Sequence, residues 1–271
     1  MSSLLAITWT VEPTLIELGP LTIRWYGILF ATAFFAGYHI LWRIFKHEGV
    51  KRDLLETVLL YVMIGTVIGA RLGHVFFYDW GYYSQHPSEI VMIWKGGLAS
   101  HGAAIGILLA LWLFSKKVSK KPMLWILDRV VITVASGGFF IRLGNLMNHE
   151  IIGHETDVPW AFIFTKHSTF YNVPTHPAQL YEALCYLVIF FVLMFLFWKK
   201  DAGKKTGFIF GLFLILLFSA RFFVEFVKTS QGGFESAFGD VLSTGQLLSI
   251  PFILAGGWFL FRSLRPSNSA V

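Results

Sequence analysis

LLETVLLYVMIGTVIGARLGHVFF, residues 54–77, contains one glutamate and one arginine in 24 positions. As a helix rising 1.5 Å per residue it reaches roughly 36 Å, enough to cross the ~30 Å hydrocarbon layer of a bilayer. A sheet is excluded for such a run, because in lipid the backbone must satisfy its polar groups internally. Gly65, Gly69 and Gly73 recur every fourth residue, a stripe that lets two helices pack closely. Lys51 and Arg52 stand at one end of the run and Arg71 near the other.

Six further runs of similar character lie at 23–44, 97–114, 123–141, 177–198, 207–227 and 245–261. The expected fold class is therefore all-α integral membrane, with seven transmembrane helices in one polytopic domain covering residues 1–271. Composition agrees: 55% of residues are hydrophobic and only 14% charged, against about 25% charged in a soluble domain. The net charge of +6 does not point to nucleic acid, because the basic residues cluster between apolar runs. Arg43, Lys46, Lys51 and Arg52 fill the first connection; Lys116, Lys117, Lys120 and Lys121 the third; Lys199, Lys200, Lys204 and Lys205 the fifth. Arg262 and Arg265 follow the last run, whereas the alternate connections hold mainly Lys95, Lys166 and Lys228. Positive residues stay inside, so the N-terminus is expected outside, the C-terminus inside, and residues 143–176 in a small extracytoplasmic head. The opening MSSLLAITWTVEPTLIELGP lacks a basic n-region and contains Pro13 and Pro20, so it is not expected to be a signal peptide. The single cysteine, Cys185, lies inside an apolar run and supports no disulfide framework.

Polar residues inside the runs are unevenly placed in depth. Counting from the inner ends, Arg71 lies ~25 Å up, Arg142 ~30 Å, Arg221 ~20 Å and Glu225 ~25 Å. Tyr26, His101, Gln179, Tyr181, Glu182 and Gln246 fall near the outer ends of their runs. Asp128 and Arg129, ~10 Å above the inner face, are the exception and read as a structural pair. A transporter needs polar groups through the midplane, and here the inner half is apolar. A polar pocket open to the outer leaflet suits an enzyme acting on a lipid head group. Arg142 and Arg221 suit phosphate in particular, since a guanidinium stays charged and its fork matches phosphate oxygens.

HEIIGH, residues 149–154, spaces its histidines five apart, about 140° around a helix, whereas the zinc-protease motif needs four. His167 and His176 read as surface histidines. No Gly-rich phosphate loop or G-x-S-x-G elbow occurs. In WKGGLASHGAAIG, His101 offers an imidazole able to take a proton from a weakly acidic nucleophile near neutral pH. The adjacent Gly96, Gly97 and Gly102 would let a head group approach the backbone.

RWYG (24–27), ARLGHVFFY (70–78), WKGGLASHG (94–102), RLGNLMNHEIIG (142–153), HPAQLYE (176–182), RFFVEF (221–226) and GQLLSIP (245–251) together resemble the bacterial prolipoprotein diacylglyceryl transferases. The resemblance runs in order from about residue 12 to 261. It implies transfer of the diacylglyceryl group of phosphatidylglycerol to the lipobox cysteine of a prolipoprotein signal peptide, forming a thioether and releasing glycerol phosphate. That is the first step of bacterial lipoprotein maturation, at the outer leaflet of the cytoplasmic (inner) membrane, with no metal or organic cofactor. Carried over position by position, it marks Tyr26, His101, Arg142, Asn145, Gly153, Arg221 and Glu225 as essential. Arg142, Arg221, Asn145, Gly153 and Gly102 are the expected phosphatidylglycerol contacts. Membrane lipids are thus the surroundings and one substrate. Two positions depart from the family pattern: Ala103, often glycine there, and His149, where Asn-Gly-Glu is common. Both substitutions require a negative φ at their positions. A different outer-leaflet head-group transferase and, from another class, a small-molecule transporter are the alternatives.

Overall fold

The computed structural model describes residues 6–19, 21–93, 96–167, 169–229 and 242–265. Pro20, and Trp94 and Lys95 of the glycine-rich motif, lie outside the described residues. The chain forms helices α1 (Trp25–His47), α2 (Arg52–Phe77), a single turn α3 (Trp80–Tyr83), α4 (Ser100–Phe114), α5 (Met123–Met147), α6 (Ala178–Lys199), α7 (Phe208–Val224) and α8 (Thr244–Leu264). Six are long and apolar enough to cross a membrane, α4 through its π-helical extension to Ser119. At 17 residues α7 is shorter than the predicted run 207–227. Its helix stops because the following residues turn back, so that Lys228 can form an antiparallel bridge with Gly153. Phe35, Phe77, Val188, Phe191, Phe223 and Leu254 are all exposed, a surface suited to lipid and not to water.

Contacts divide the chain into two compact units, Leu41–Leu127 and Met1–Ile40 with Asp128–Val271. In the first, the predicted glycine stripe closes α2 onto α4. A Cβ on Gly106 would lie 2.1 Å from the carbonyl oxygen of Gly65, and one on Gly102 would lie 2.6 Å from Cα of Gly73. Neither position has room for a side chain. The end of α1 is set by His47-Glu48-Gly49-Val50: Gly49 takes φ 66° and Val50 N–H reaches back to Phe45 C=O at 2.8 Å, the Schellman arrangement.

In the second unit, Asp128 accepts backbone N–H bonds from Gly207 (2.7 Å) and Phe210 (2.8 Å), capping the start of α7, while Arg129 donates to Gly203 C=O at 3.2 Å. The predicted structural role of Asp128 and Arg129 holds, with both residues anchoring the same segment before α7. Gly211 and Gly256 bring α7 and α8 together, and Phe218 stacks on Phe252 at 4.3 Å.

The segments outside the helices contain strands that the all-α expectation omitted. β1 (Ile7–Trp9) pairs in parallel with β4 (Phe162–Phe164), which pairs with β5 (Pro174–Thr175), while β2 (Thr14–Leu18) and β3 (Leu21–Arg24) form a hairpin. Such short sheets arise where the lipid rule on backbone satisfaction no longer applies. Leu146, Ile152, Phe162 and Phe164 form a small core under this sheet, with Trp9, Leu143, Phe170 and Leu180 packed against it.

Candidate active site

The site begins where α5 ends. His149 N–H bonds Leu146 C=O (3.2 Å), and Glu150 N–H reaches Asn145 C=O (2.9 Å). This is the double bond pattern of a Schellman cap, with His149 at the position that usually holds glycine. Its φ is 56°, so the expected negative φ is wrong for His149, though Ala103 inside α4 satisfies it. A left-handed non-glycine residue costs about 1–2 kcal/mol. Burial compensates: the His149 Nε2–H donates to Val11 C=O at 2.8 Å and the ring meets Phe164 edge-on at 5.6 Å. HEIIGH is therefore a turn, and its two histidines share no helical face.

The same turn folds Glu150 back onto the helix. Its carboxylate accepts from Asn145 Nδ2 at 3.2 Å and Asn148 Nδ2 at 3.1 Å. Asn145 Oδ1 in turn accepts from Arg142 Nη1 at 3.2 Å. Asn145 thus links Arg142 to Glu150, with its amide engaged at both ends. Arg142 also pairs through Nε with Glu182 of α6 at 2.6 Å, and Glu182 is completely buried. The Tyr186 phenol oxygen, one turn further along α6, accepts from the same guanidinium. On its other side Glu182 faces Lys228 Nζ at 3.5 Å, which lies 3.7 Å from Glu225. Buried charge pairs of this kind are strongly destabilised when one partner is removed.

Two glycines hold the network's edges. A Cβ on Gly153 would lie 2.4 Å from Val227 C=O and 2.6 Å from Cβ of His176. Gly153 N–H bonds His176 C=O (2.8 Å), His154 N–H bonds Val227 C=O (2.9 Å), and the strip is wedged between the two chains. Gly153 therefore has a positioning role: it seats Lys228 beside Glu182. At Gly245 a Cβ would lie 2.4 Å from the Glu225 carboxyl carbon, so the carboxylate rests against the first turn of α8, where the helix dipole favours an anion. Tyr26 lies against Gly144, where a Cβ would come within 2.8 Å of the ring, and it is within electrostatic reach of Glu150 and Arg142.

Arg221 differs from the rest. Its guanidinium influences the Tyr186 phenol, yet it has no hydrogen bond or ion pair to any of the described residues, and its Nε is fully buried. A half-buried cation left in this condition is suited to an anionic ligand.

Tyr26, Arg142, Asn145, Gly153, Arg221 and Glu225 thus belong to one neighbourhood of the second unit. His101 belongs to the other unit, exposed in the first turn of α4. The adjacent Gly102 is buried and fully used in packing α4 on α2. Arg71 organises a loop: it donates to the carbonyls of Glu89 (2.6 Å), Ile90 (2.8 Å) and Gly96 (2.6 Å) and covers the Tyr83 ring. Sequence reasoning missed Glu150 and the bridging role of Lys228. The spacing Asn145-x-x-Asn148-x-Glu150 was the available signal for the first, and Lys228 three residues after Glu225 for the second. In the head, His176 has its imidazole pKa lowered by burial and then by His154, and His167 by burial and then by His149.

The model of the prolipoprotein diacylglyceryl transferase family matches residues 13–262. The phosphatidylglycerol–prolipoprotein diacylglyceryl transferase of Tolumonas auensis is 50% identical over 248 residues, covering 92% of this chain and 94% of that protein. Those of Chloroherpeton thalassium and Porphyromonas gingivalis are similar at 46% and 44% identity, covering 97% and 96% of this chain and 96% and 95% of their own.

Proposed function

The chain belongs to the prolipoprotein diacylglyceryl transferase family, and we propose that it transfers the diacylglyceryl group of phosphatidylglycerol to the lipobox cysteine thiol of prolipoproteins. The observation that carries this reading is Arg221, a half-buried cation with no partner among the described residues, near a second arginine already fixed in place. In the reaction the sulfur bonds to the glycerol carbon that carried phosphate, and that carbon's bond to oxygen breaks. Glycerol phosphate leaves with the electron pair, and the thiol proton passes to a base.

Each named group has work in that step. The departing phosphate gains charge, and fixed cations stabilise it without reorganising. Arg221 supplies unengaged donors; Arg142, oriented by Glu182, Asn145 and Tyr186, presents those its partners leave. Asn145 and Gly153 keep this geometry, Glu225 and Lys228 balance its charge, and Tyr26 closes the side of α5. The thiol, with an ordinary pKa near 8.5, needs a proton acceptor or a neighbouring positive field at neutral pH; His101 offers the first, and Arg142 and Arg221 the second. Gly102 lets α4, which carries His101, close on α2.

The whole chain is assigned to one polytopic domain of the bacterial inner membrane. Seven helices cross it, α7 included, with the N-terminus outside, the C-terminus inside, and residues 143–176 facing the prolipoprotein. The test is to mix purified protein with phosphatidylglycerol and a lipobox peptide and weigh the peptide. A mass gain equal to one diacylglyceryl group, with glycerol phosphate released, is expected. An unchanged peptide overturns the reading.

A further inference from the structure

Gln179 is completely buried, and neither end of its amide has a hydrogen-bond partner among the described residues. It stands in the first turn of α6. At ~100° per residue it lies within about 60° of Glu182 and about 20° of Tyr186 around the helix. Those are the two side chains of α6 that hold Arg142. Asn145 and Gln246, the site's other buried carboxamides, are engaged at both ends, Gln246 through the capping box with Ser243 and a bond to Phe222 C=O. A buried, unpaired amide destabilises a fold where a leucine of similar volume would not. The fold itself therefore does not account for glutamine at this position.

Resting on the function proposed above, we infer that Gln179 reads the glycerol head group of the lipid by hydrogen-bonding its free hydroxyls. The amide offers one acceptor and two donors without charge, which matches two hydroxyls that each donate and accept. A cationic head group would find no countercharge in it. The position fits as well. Gln179 is one turn, about 4.5 Å, nearer the N-terminal end of α6 than Glu182. In the assigned topology that end faces outward, and a head group projects outward from a phosphate held by Arg142 and Arg221.

The experiment compares wild type and Gln179→Leu on phosphatidylglycerol and on phosphatidylpropanol, which keeps the phosphodiester and the carbon chain but lacks both hydroxyls. A dry site built to bond a hydroxyl rejects the analogue lacking it, so wild type should prefer phosphatidylglycerol by ~100-fold or more in kcat/KM, and Gln179→Leu by no more than ~5-fold. The loss should fall on phosphatidylglycerol. Gln179→Met, closer in shape, is judged by the same ratio if the leucine variant accumulates poorly. An undiminished preference in the variants overturns the inference, as does an equal loss on both lipids, which marks a packing role. So does a rise in peptide KM with the lipid preference intact, which assigns the amide to the peptide. No transfer by wild type from phosphatidylglycerol would instead overturn the underlying function.

Discussion

Arg142 and Arg221 carry the same charge, but their surroundings give them different duties and different mutational signatures. Arg142 balances the fully buried Glu182. Arg142→Ala leaves that carboxylate short of a partner, a change that costs about 3–5 kcal/mol in buried pairs, so its thermal midpoint in detergent should drop along with turnover. Arg221 balances no described residue, so Arg221→Ala should keep wild-type stability. It should nonetheless lose at least ~30-fold in turnover, since removing one partner of a dry charge pair costs about 2–5 kcal/mol. Arg221→Lys should recover only a small part, because an ammonium lacks the paired planar donors. Near-normal turnover of the lysine variant, or equal destabilisation by both alanine changes, would contradict this division. His149 gives a third test. Glycine removes the left-handed penalty but loses the ring's bond to Val11, while alanine keeps the penalty and loses the bond. His149→Ala should therefore lower the melting temperature more than His149→Gly, and the reverse order would show that the left-handed backbone at this position carries no such penalty.

Helices meet through glycines, and the two faces of such contacts respond differently. At Gly106 a methyl would press on the backbone of Gly65, whereas at Gly257 nothing lies within 4 Å. Gly106→Ala should destabilise by about 1–3 kcal/mol through overpacking, while Gly257→Ala in α8 should be neutral or stabilising by up to ~1 kcal/mol through helix propensity. Unfolding in mixed micelles distinguishes them, and equal effects would count against the α2–α4 seam. In the head, the depressed His176 and His167 pKa values make the charged forms unfavourable in the fold. Their contribution to stability is present above pH ~6.5 and is lost as pH falls through the lowered folded values. Much of this level was legible beforehand: apolar runs gave every long helix, and the Gly65-Gly69-Gly73 stripe its partner face. The β1–β4 pairing was not, because Ile7 and Phe162 are distant in sequence and no local signal links a three-residue strand to its mate. The fate of Arg71 was equally hidden. Depth shows that a buried arginine must be satisfied, but not whether backbone carbonyls or a ligand will do it.

At a larger scale, the unit of Met1–Ile40 with Asp128–Val271 carries a polar network at the end of α5 and the start of α6. The proposed chemistry was legible where residue type alone suggests it, as with the arginines proposed to hold phosphate. It was not legible where a residue acts through others, as Glu150 and Lys228 do. The assigned orientation predicts that a reporter active only outside the cytoplasm works when inserted within 156–172 and fails after Lys200, and the opposite pattern would move the site to the wrong leaflet. In the proposed reaction the thiol displaces phosphate from carbon while the arginines hold the departing oxygens. Phosphatidylglycerol labelled with 18O in the bond between the diacylglyceryl carbon and phosphorus tests it directly by mass spectrometry of both products. All of the label should leave with glycerol phosphate, and none should appear in the lipidated peptide. Label retained with the diacylglyceryl group would mean that the phosphorus–oxygen bond had broken, and would contradict the mechanism.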